Sequence, residues 1–386
     1  MSPVHAYAMA GLPVSVRMPD DRVLAAHLAR LLPEINPNPE RGESVLVERQ
    51  GDSVFLVTGE GLTRSFTCHD PVDTVCGVTA GLIGAYAIAV QDKLCFHAAA
   101  LICKGKAYLI PATYKSGKST FCAAWMAAGH SIVTDDAAIF DVRTKHVSSF
   151  GIPLRLRNSL LRDGPQPLRE FVATNLLLQG PRLSYVRSPD QASCVPGTSY
   201  PLGGWVFLDR KVGALPKLSR LRPTESLGQI IWQNFARQMP ASDLLDVLRT
   251  AATQFPCFRL QYEECLDAVP LLASALEKPD EHVPPAQQSE DLGTAFAVEN
   301  DGSIEVTETP GGLYLADDRY GRIYFFNPSA GVMWKLAAAG LEIDEAIEVL
   351  AEVYRGEAAR TLAQDYRRFL AEIASLGLLN GLQLPA

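Results

Sequence analysis

An apolar run that ends in a glycine-lysine-serine turn constrains the fold of this chain more tightly than any other stretch. It reads Ala107-Tyr-Leu-Ile-Pro-Ala-Thr-Tyr-Lys-Ser-Gly-Lys-Ser-Thr120. Tyr108-Leu109-Ile110 has the pattern of a buried strand, and Ser119 to Ala128, rich in Ala and large apolar residues, that of a helix. Ser131-Ile132-Val133 reads as a second short strand and runs into Thr134-Asp135-Asp136. A strand, a tight loop, a helix and a strand ending in paired carboxylates imply an α/β fold, with loop and acids meeting at one end of a mixed sheet.

Ala112-x-x-x-x-Gly117-Lys118-Ser119 matches the phosphate-loop pattern, with Ala in place of its first Gly. Backbone N–H groups of Ser116 to Ser119 would bind phosphate oxygens, helped by the positive end of the following helix. Gly117 would let the backbone approach without a Cβ in the way. Lys118 would reach the β- and γ-phosphates, and the Ser119 hydroxyl would ligate magnesium. Thr113, Tyr114, Lys115 and Thr120 complete the loop, and the bulky Tyr114 and Lys115 read equally as a cover over the nucleotide or as solvated side chains. The implied ligands are ATP (or GTP) and Mg2+. One of Asp135 and Asp136 would be the second metal contact and the other the base orienting an acceptor hydroxyl. Asp136 stands with Ser119 as the candidate metal set, but the sequence leaves the division between the two acids open.

The 386 residues leave room for two or three domains. A net charge of −8 gives no basic footprint for nucleic acid or an anionic membrane, so neither is an expected partner. None of the eight Cys forms a C-x-x-C pair, which fits buried thiols in a reducing cytosol. No basic segment followed by an apolar run opens the chain, so the expected location is cytoplasmic. The longest uncharged run, Thr74 to Gln91, is at the short limit for a bilayer span and reads better as a helix buried behind the nucleotide sheet.

Short strands and turns around one helix, Asp20 to Leu32, make up the N-terminal part, with a hairpin at Val45 to Val57. Leu94 to Cys103 reads as one strand turning at Lys104-Gly105 into the strand that enters the loop. Strands at Ala137 to Val142, His146 to Phe150 and Gly204 to Leu208, helices at Glu225 to Arg237 and Ala241 to Gln254, a closing strand at Phe258 to Tyr262 and a helix at Ala268 to Leu276 follow. Residues 279–292 hold almost no large apolar side chain and read as a flexible linker between a domain at 1–278 and another at 293–386. The second domain has three short strands, Ser303 to Thr307, Gly312 to Ala316 and Arg322 to Phe326. Three helices follow: Ser329 to Ala338 capped by Ser329, Ile343 to Tyr354 stopped by Gly356, and Ala358 to Ser375.

Two resemblances follow. Tyr324-Phe-Phe-Asn327-Pro328-Ser329-Ala330, Trp334, Phe369-Leu370 and Leu376-Gly377-Leu378-Leu379 resemble the PqqD-like peptide-recognition family over roughly Asn300 to the C-terminus. That resemblance implies a small winged-helix-like α+β module that grips the leader of a ribosomally made precursor peptide as an added strand. The edge here would be Arg322, Ile323, Tyr324 and Phe325, with Tyr366 on the groove wall. The larger domain resembles the HPr kinase and phosphorylase family, with its relation to the PEP-carboxykinase fold, and more closely the offshoots found in peptide-biosynthesis clusters. The matching residues are Phe96-His97-Ala98-Ala99-Ala100, Gly117-Lys118-Ser119-Thr120, Asp135-Asp136 and Gly151-Ile-Pro-Leu-Arg155-Leu-Arg157. They span roughly Val75 to Leu160. Ala112 departs from the family loop, and no Gly-Arg-Asn-rich signature for phosphorylating HPr is present.

The resemblance implies catalytic work for Lys118, Asp135, Asp136, His97 near the γ-phosphate, and Arg155 as a clamp on the phosphoryl group. His97 reads equally well as a core histidine, and Arg155 and Arg157 equally well as surface charges. The expected function is an ATP- and Mg2+-dependent kinase acting on a Ser or Thr hydroxyl of a leader-held precursor peptide, with the homo-oligomer of the parent family possible. The alternatives are a leader-binding adaptor whose loop has decayed at Ala112, a carrier-protein kinase, and nucleotidyl transfer.

Overall fold

The computed structural model describes residues 4–9, 12–32, 34–35, 44–111, 116–187, 197–236, 238–279, 283, 295–297, 303–355 and 357–378. They form two compact units. One comprises Met1–Arg222, Gln229–Met239 and Thr250–Gln288, the other Pro223–Gly228, Pro240–Arg249 and Ser289–Ala386.

The first unit opens on a six-stranded sheet of β1 (Val4–Met9), β2 (Leu12–Arg17), β3 (Glu34–Ile35), β4 (Val45–Arg49), β5 (Phe55–Gly59) and β6 (Phe66–Cys68), in the order β3-β1-β2-β4-β5-β6. Helix α1 (Arg22–Leu31) starts at Asp21, whose carboxylate accepts from the Val23 and Leu24 amides. Helix α2 (Pro71–Ala89) starts in the same way at Asp70, with Pro71 in its first turn. Val75, Val78 and Leu82 of α2 are fully buried, so the helix is apolar on most sides because most sides are covered.

A nine-stranded mixed sheet follows, built from β7 (Lys93–Phe96), β8 (Ala98–Cys103), β9 (Lys106–Pro111), β10 (Ile132–Thr134), β11 (Ala138–Asp141), β12 (His146–Ser149) and three later strands. Strands β13 (Leu154–Arg157), β14 (Leu176–Gln179) and β15 (Leu183–Val186) form a separate small sheet. The nine are completed by β16 (Ser199–Arg210), β17 (Lys217–Leu221) and β18 (Cys257–Tyr262). β9, β16 and β18 run parallel, so their C-terminal ends share one edge of the sheet. From that edge rises α3 (Lys118–Ala127), followed in the chain by α4 (Ser159–Asp163), α5 (Gln166–Thr174), α6 (Pro223–Gln233), α7 (Ala241–Gln254) and α8 (Cys265–Glu277). Phe121 and Trp125 of α3 pack with Ile110, Val206, Phe258 and Leu272.

Three sequence expectations change here. Leu94 to Cys103 is not one strand: the chain breaks at His97, β7 pairing with β11 and β8 with β9 and β10. The His97 amide leaves the ladder and donates to the Gln233 carbonyl at 2.8 Å. Strand β18 does not close the sheet, because the unforeseen β17 pairs with it on the outside. Helix α2 packs on the six-stranded sheet through Phe55 and Val57 as well as on Cys95 and Ile139 of the larger one, so it lies between two sheets rather than behind one.

The second unit holds β19 (Ala295–Ala297), β20 (Ile304–Thr309), β21 (Gly312–Asp317) and β22 (Arg322–Phe326), in that spatial order, then α9 (Pro328–Ala338), α10 (Ile343–Val353) and α11 (Ala359–Ser375). Among the described residues β22 pairs only with β21 and leaves its other edge open. Ser329 does not cap α9; Asn327 does, accepting from the Ala330 amide, with Pro328 at the first helical position. Glu342 and Glu345 form a reciprocal capping box on α10. Gly356, expected as a helix stop, and most of 279–292 lie outside the described residues.

Candidate active site

The site is assembled where α3 begins. Gly117 has φ +90, in the left-handed region, which turns the chain from loop to helix so that Lys118 is the first helical residue. Lys118 is 6% exposed, and burial lowers its pKa while Asp136 and Asp135 pull it back up. One turn of helix carries the next donor: the Ser119 hydroxyl donates to Asp135 Oδ2 at 2.9 Å. Ser116 Oγ is buried and has no hydrogen-bond partner among the described residues. A buried hydroxyl without a partner, at a helix N-terminus beside a buried Lys, is what a bound anion would satisfy.

The two acids that end β10 then diverge in environment. Asp135 is 3% exposed and also accepts from the Arg155 amide at 3.4 Å. Burial, reinforced by repulsion from Asp136, pushes its carboxyl up to about 7 despite Arg155 and the bond from Ser119. Asp136 instead receives a charge-assisted bond from Arg155 Nη2 at 2.8 Å on one oxygen, and His97 Nδ1 stands 3.4 Å from the other. Burial lowers the pKa of His97, with Asp136 opposing the shift. The break at His97 is what swings this side chain out of the sheet pattern toward Asp136. The second guanidinium nitrogen of Arg155 contacts Cys76 Sγ of α2 at 2.9 Å.

The structure therefore brings together Ser116, Gly117, Lys118, Ser119, Asp135, Asp136, His97 and Arg155. The magnesium set expected from sequence joined Ser119 to Asp136; the hydrogen bond observed joins Ser119 to Asp135. Ala112, Thr113, Tyr114 and Lys115 lie outside the described residues. Thr120 is half-buried on α3. The site has a further wall that sequence reasoning missed. Thr79, Ala80 and Ile83 of α2, with Phe150 and Ile152, line a cavity of about 40 Å³ that reaches Asp135, Asp136 and Arg155. Nothing in the sequence singles this wall out, because Ala80 is one of many small residues in α2.

In the second unit, Arg322, Ile323, Tyr324 and Phe325 lie on the open-edged β22, with Phe325 52% exposed. Tyr366, expected on a groove wall, is 1% exposed and belongs to the core with Val306, Leu315 and Trp334.

Residues 312–379 match the family model described as Coenzyme PQQ synthesis protein D, so the C-terminal unit carries a PqqD domain. Among solved structures, the Hpr(Ser) kinase/phosphatase from Coxiella burnetii is similar at 16% identity with a TM-score of 0.23, over 48% of this chain and 95% of that chain. No curated protein matches.

Proposed function

We propose that the protein is an ATP- and Mg2+-dependent kinase that phosphorylates a Ser or Thr hydroxyl of a ribosomally made precursor peptide, whose leader the PqqD domain holds. One observation carries the reading. The hydroxyl that begins α3 is bonded to one acid of a doublet, Ser119 to Asp135, while the other acid, Asp136, is bonded to Arg155. A triphosphate site needs that hydroxyl and carboxylate side by side, and a transfer site needs a second carboxylate and a cation within reach of the same point.

The residues present fit the ligands. Ser116, Gly117 and Lys118 would hold phosphate oxygens, and Ser119 with an oxygen of the acid doublet would hold the metal. Mg2+ would supply charge neutralisation on the β- and γ-oxygens. Arg155 would take up charge on the transferred group, and its bond to Asp136 orients both side chains. His97 limits the rotation of Asp136 from the opposite side. The open edge of β22 offers main-chain groups to a peptide strand. A leader held there would raise the effective concentration of the core peptide at the kinase site.

The test is mass analysis of the cognate precursor after incubation with the enzyme, ATP and Mg2+. One added phosphoryl group that depends on Lys118 is the expected result. A Lys118→Ala protein that still phosphorylates would refute the site assignment. Isothermal titration showing no binding of Mg·ATP would favour the leader-binding adaptor, and an added nucleotidyl mass would redirect the chemistry.

A further inference from the structure

The cavity beneath α2 has no place in the nucleotide site as described, yet it ends on that site's acids. Its lining includes Asp135, Asp136 and Arg155, but none of the described loop residues Ser116 to Ser119. Asp135 is thus shared, with the Ser119 hydroxyl on one side and the cavity on the other. Helix α2 is buried over most of its surface, but Cys76, Ala80 and Ile83, at i, i+4 and i+7, form a half-buried stripe on one face. Ala80 and Ile83 line the cavity, and Cys76 touches Arg155. Ala137, Phe150 and Ile152 add apolar wall, and Thr79 and Thr134 add hydroxyls. A small recess of mixed apolar and hydroxyl lining that also holds Asp135, Asp136 and Arg155 suits a short side chain with a polar tip.

Phosphoryl transfer requires the attacking and leaving oxygens to stand roughly in line on opposite sides of phosphorus. With the triphosphate at the start of α3, the acceptor would approach across the acid doublet, and this cavity is lined by both acids but by none of Ser116 to Ser119. Resting on the kinase reading, we propose that the cavity receives the acceptor side chain, and that Ala80 and Ile83 set its size so that an aliphatic hydroxyl enters and a phenol does not. The hydroxyl oxygen forms the new bond to the γ-phosphorus, the bond from that phosphorus to the β–γ bridging oxygen breaks, and ADP leaves with the electron pair. The hydroxyl proton passes to a carboxylate of the doublet.

The experiment enlarges one wall residue and trims the other in the full chain, using the precursor peptide as substrate. Ala80→Leu fills the recess from a half-buried position. Its kcat/KM for the peptide falls by more than about tenfold, the scale of a lost fit in an apolar pocket. Calorimetry finds its affinities for Mg·ATP and for the leader peptide unchanged. Ile83→Ala opens the recess, and the preference between Thr and Ser acceptors shifts toward Thr. It serves as the second test if Ala80→Leu does not fold. Wild-type enzyme given a precursor with its acceptor replaced by Tyr forms no phosphotyrosine. Wild-type turnover by Ala80→Leu, an unaltered Thr-to-Ser ratio in Ile83→Ala, or phosphotyrosine in the product would each overturn the proposal while leaving nucleotide binding intact. Absence of Mg·ATP binding by the wild-type protein would overturn the kinase reading and this assignment together.

Discussion

Burying Asp135 ought to cost the ligand-free protein stability, and the size and pH window of that cost can be worked out. The carboxyl is 3% exposed and raised from 3.8 to about 7, first by burial and then by Asp136. A group whose folded pKa exceeds its unfolded one contributes its stability in full below the unfolded value. It loses that contribution as pH rises through the folded one. For Asp135 the window runs from 3.8 to about 7. Above it the ionised carboxylate is carried in the fold at a cost of roughly 4 kcal/mol, the free-energy equivalent of the shift. The titratable groups facing it are Asp136 beside it, Lys118 of α3 and Arg155 of β13. Asparagine keeps an oxygen that can accept from Ser119 and the Arg155 amide but carries no charge.

Nucleotide-free Asp135→Asn is therefore expected to resist urea better than wild type at about pH 8, by up to roughly 4 kcal/mol, and to converge with it near pH 4. Urea unfolding of both proteins across that range, at fixed ionic strength, measures the difference directly. The same variant should lose phosphoryl transfer, an exchange of activity for stability expected where a charge is held for function. Parallel stability curves for the two proteins, or a less stable variant at about pH 8, would refute the argument that burial and Asp136 dominate over Arg155 and Ser119 at this position.

Lys118→Met should lower phosphoryl transfer by about a hundredfold or more, the scale of losing one oriented charge at a transferring group, with calorimetry showing weaker Mg·ATP binding. Gly117→Ala meets no clash, since its Cβ would stand 3.8 Å from Tyr262 Oη, but it must adopt φ +90. The expected cost is about 1–2 kcal/mol of backbone strain, read as lower thermal stability and a weaker nucleotide complex. Chelating Mg2+ should weaken ATP binding far more than it weakens leader binding, because only the first unit holds the acid doublet; titrations with and without chelator measure both. Tyr366→Ala should destabilise the second unit by about 3–5 kcal/mol, as a core aromatic truncation does. A groove-wall role alone would instead lower leader affinity and leave unfolding unchanged.

Those residues also mark where the sequence could be read and where it could not. The start of α3 at Gly117-Lys118 and the acid doublet at the end of β10 were legible because a glycine turn into a helix and a strand running into paired acids each show in residue type and spacing, and spacing survives without coordinates. The PqqD tail was legible through a resemblance carried by Tyr324 to Ala330, Trp334, Phe369-Leu370 and Leu376 to Leu379, with α11 adding a clear helical stripe. His97 could be named from a resemblance, but not the reason it reaches Asp136. Leu94 to Cys103 is apolar throughout, and nothing local says that the ladder changes partners in its middle. Tyr366 followed the same logic in reverse: a helical stripe says which face is covered, not whether a given ring is at the rim or in the core. The recess formed by Thr79, Ala80 and Ile83 was hidden because its other walls, Phe150 and Ile152, come from a distant stretch of chain.

Charge bookkeeping ties the site together. Two acids, Asp135 and Asp136, face two basic groups, Lys118 and Arg155, so the protein's own groups already approach balance. A triphosphate adds several negative charges that these cations cannot absorb while each is drawn to a carboxylate. On the kinase reading, a divalent cation entering with the nucleotide would offset that charge, beside the most reluctant charge in the site. Asp135 is that charge: its burial raises the cost of ionisation, and a metal held by Ser119 and the doublet would remove it. On that reading the carboxyl held at a cost in the nucleotide-free protein is the one whose ionisation a metal would make favourable, and because Asp135 both accepts from Ser119 and lines the α2 recess, that switch would act where donor and acceptor are proposed to meet.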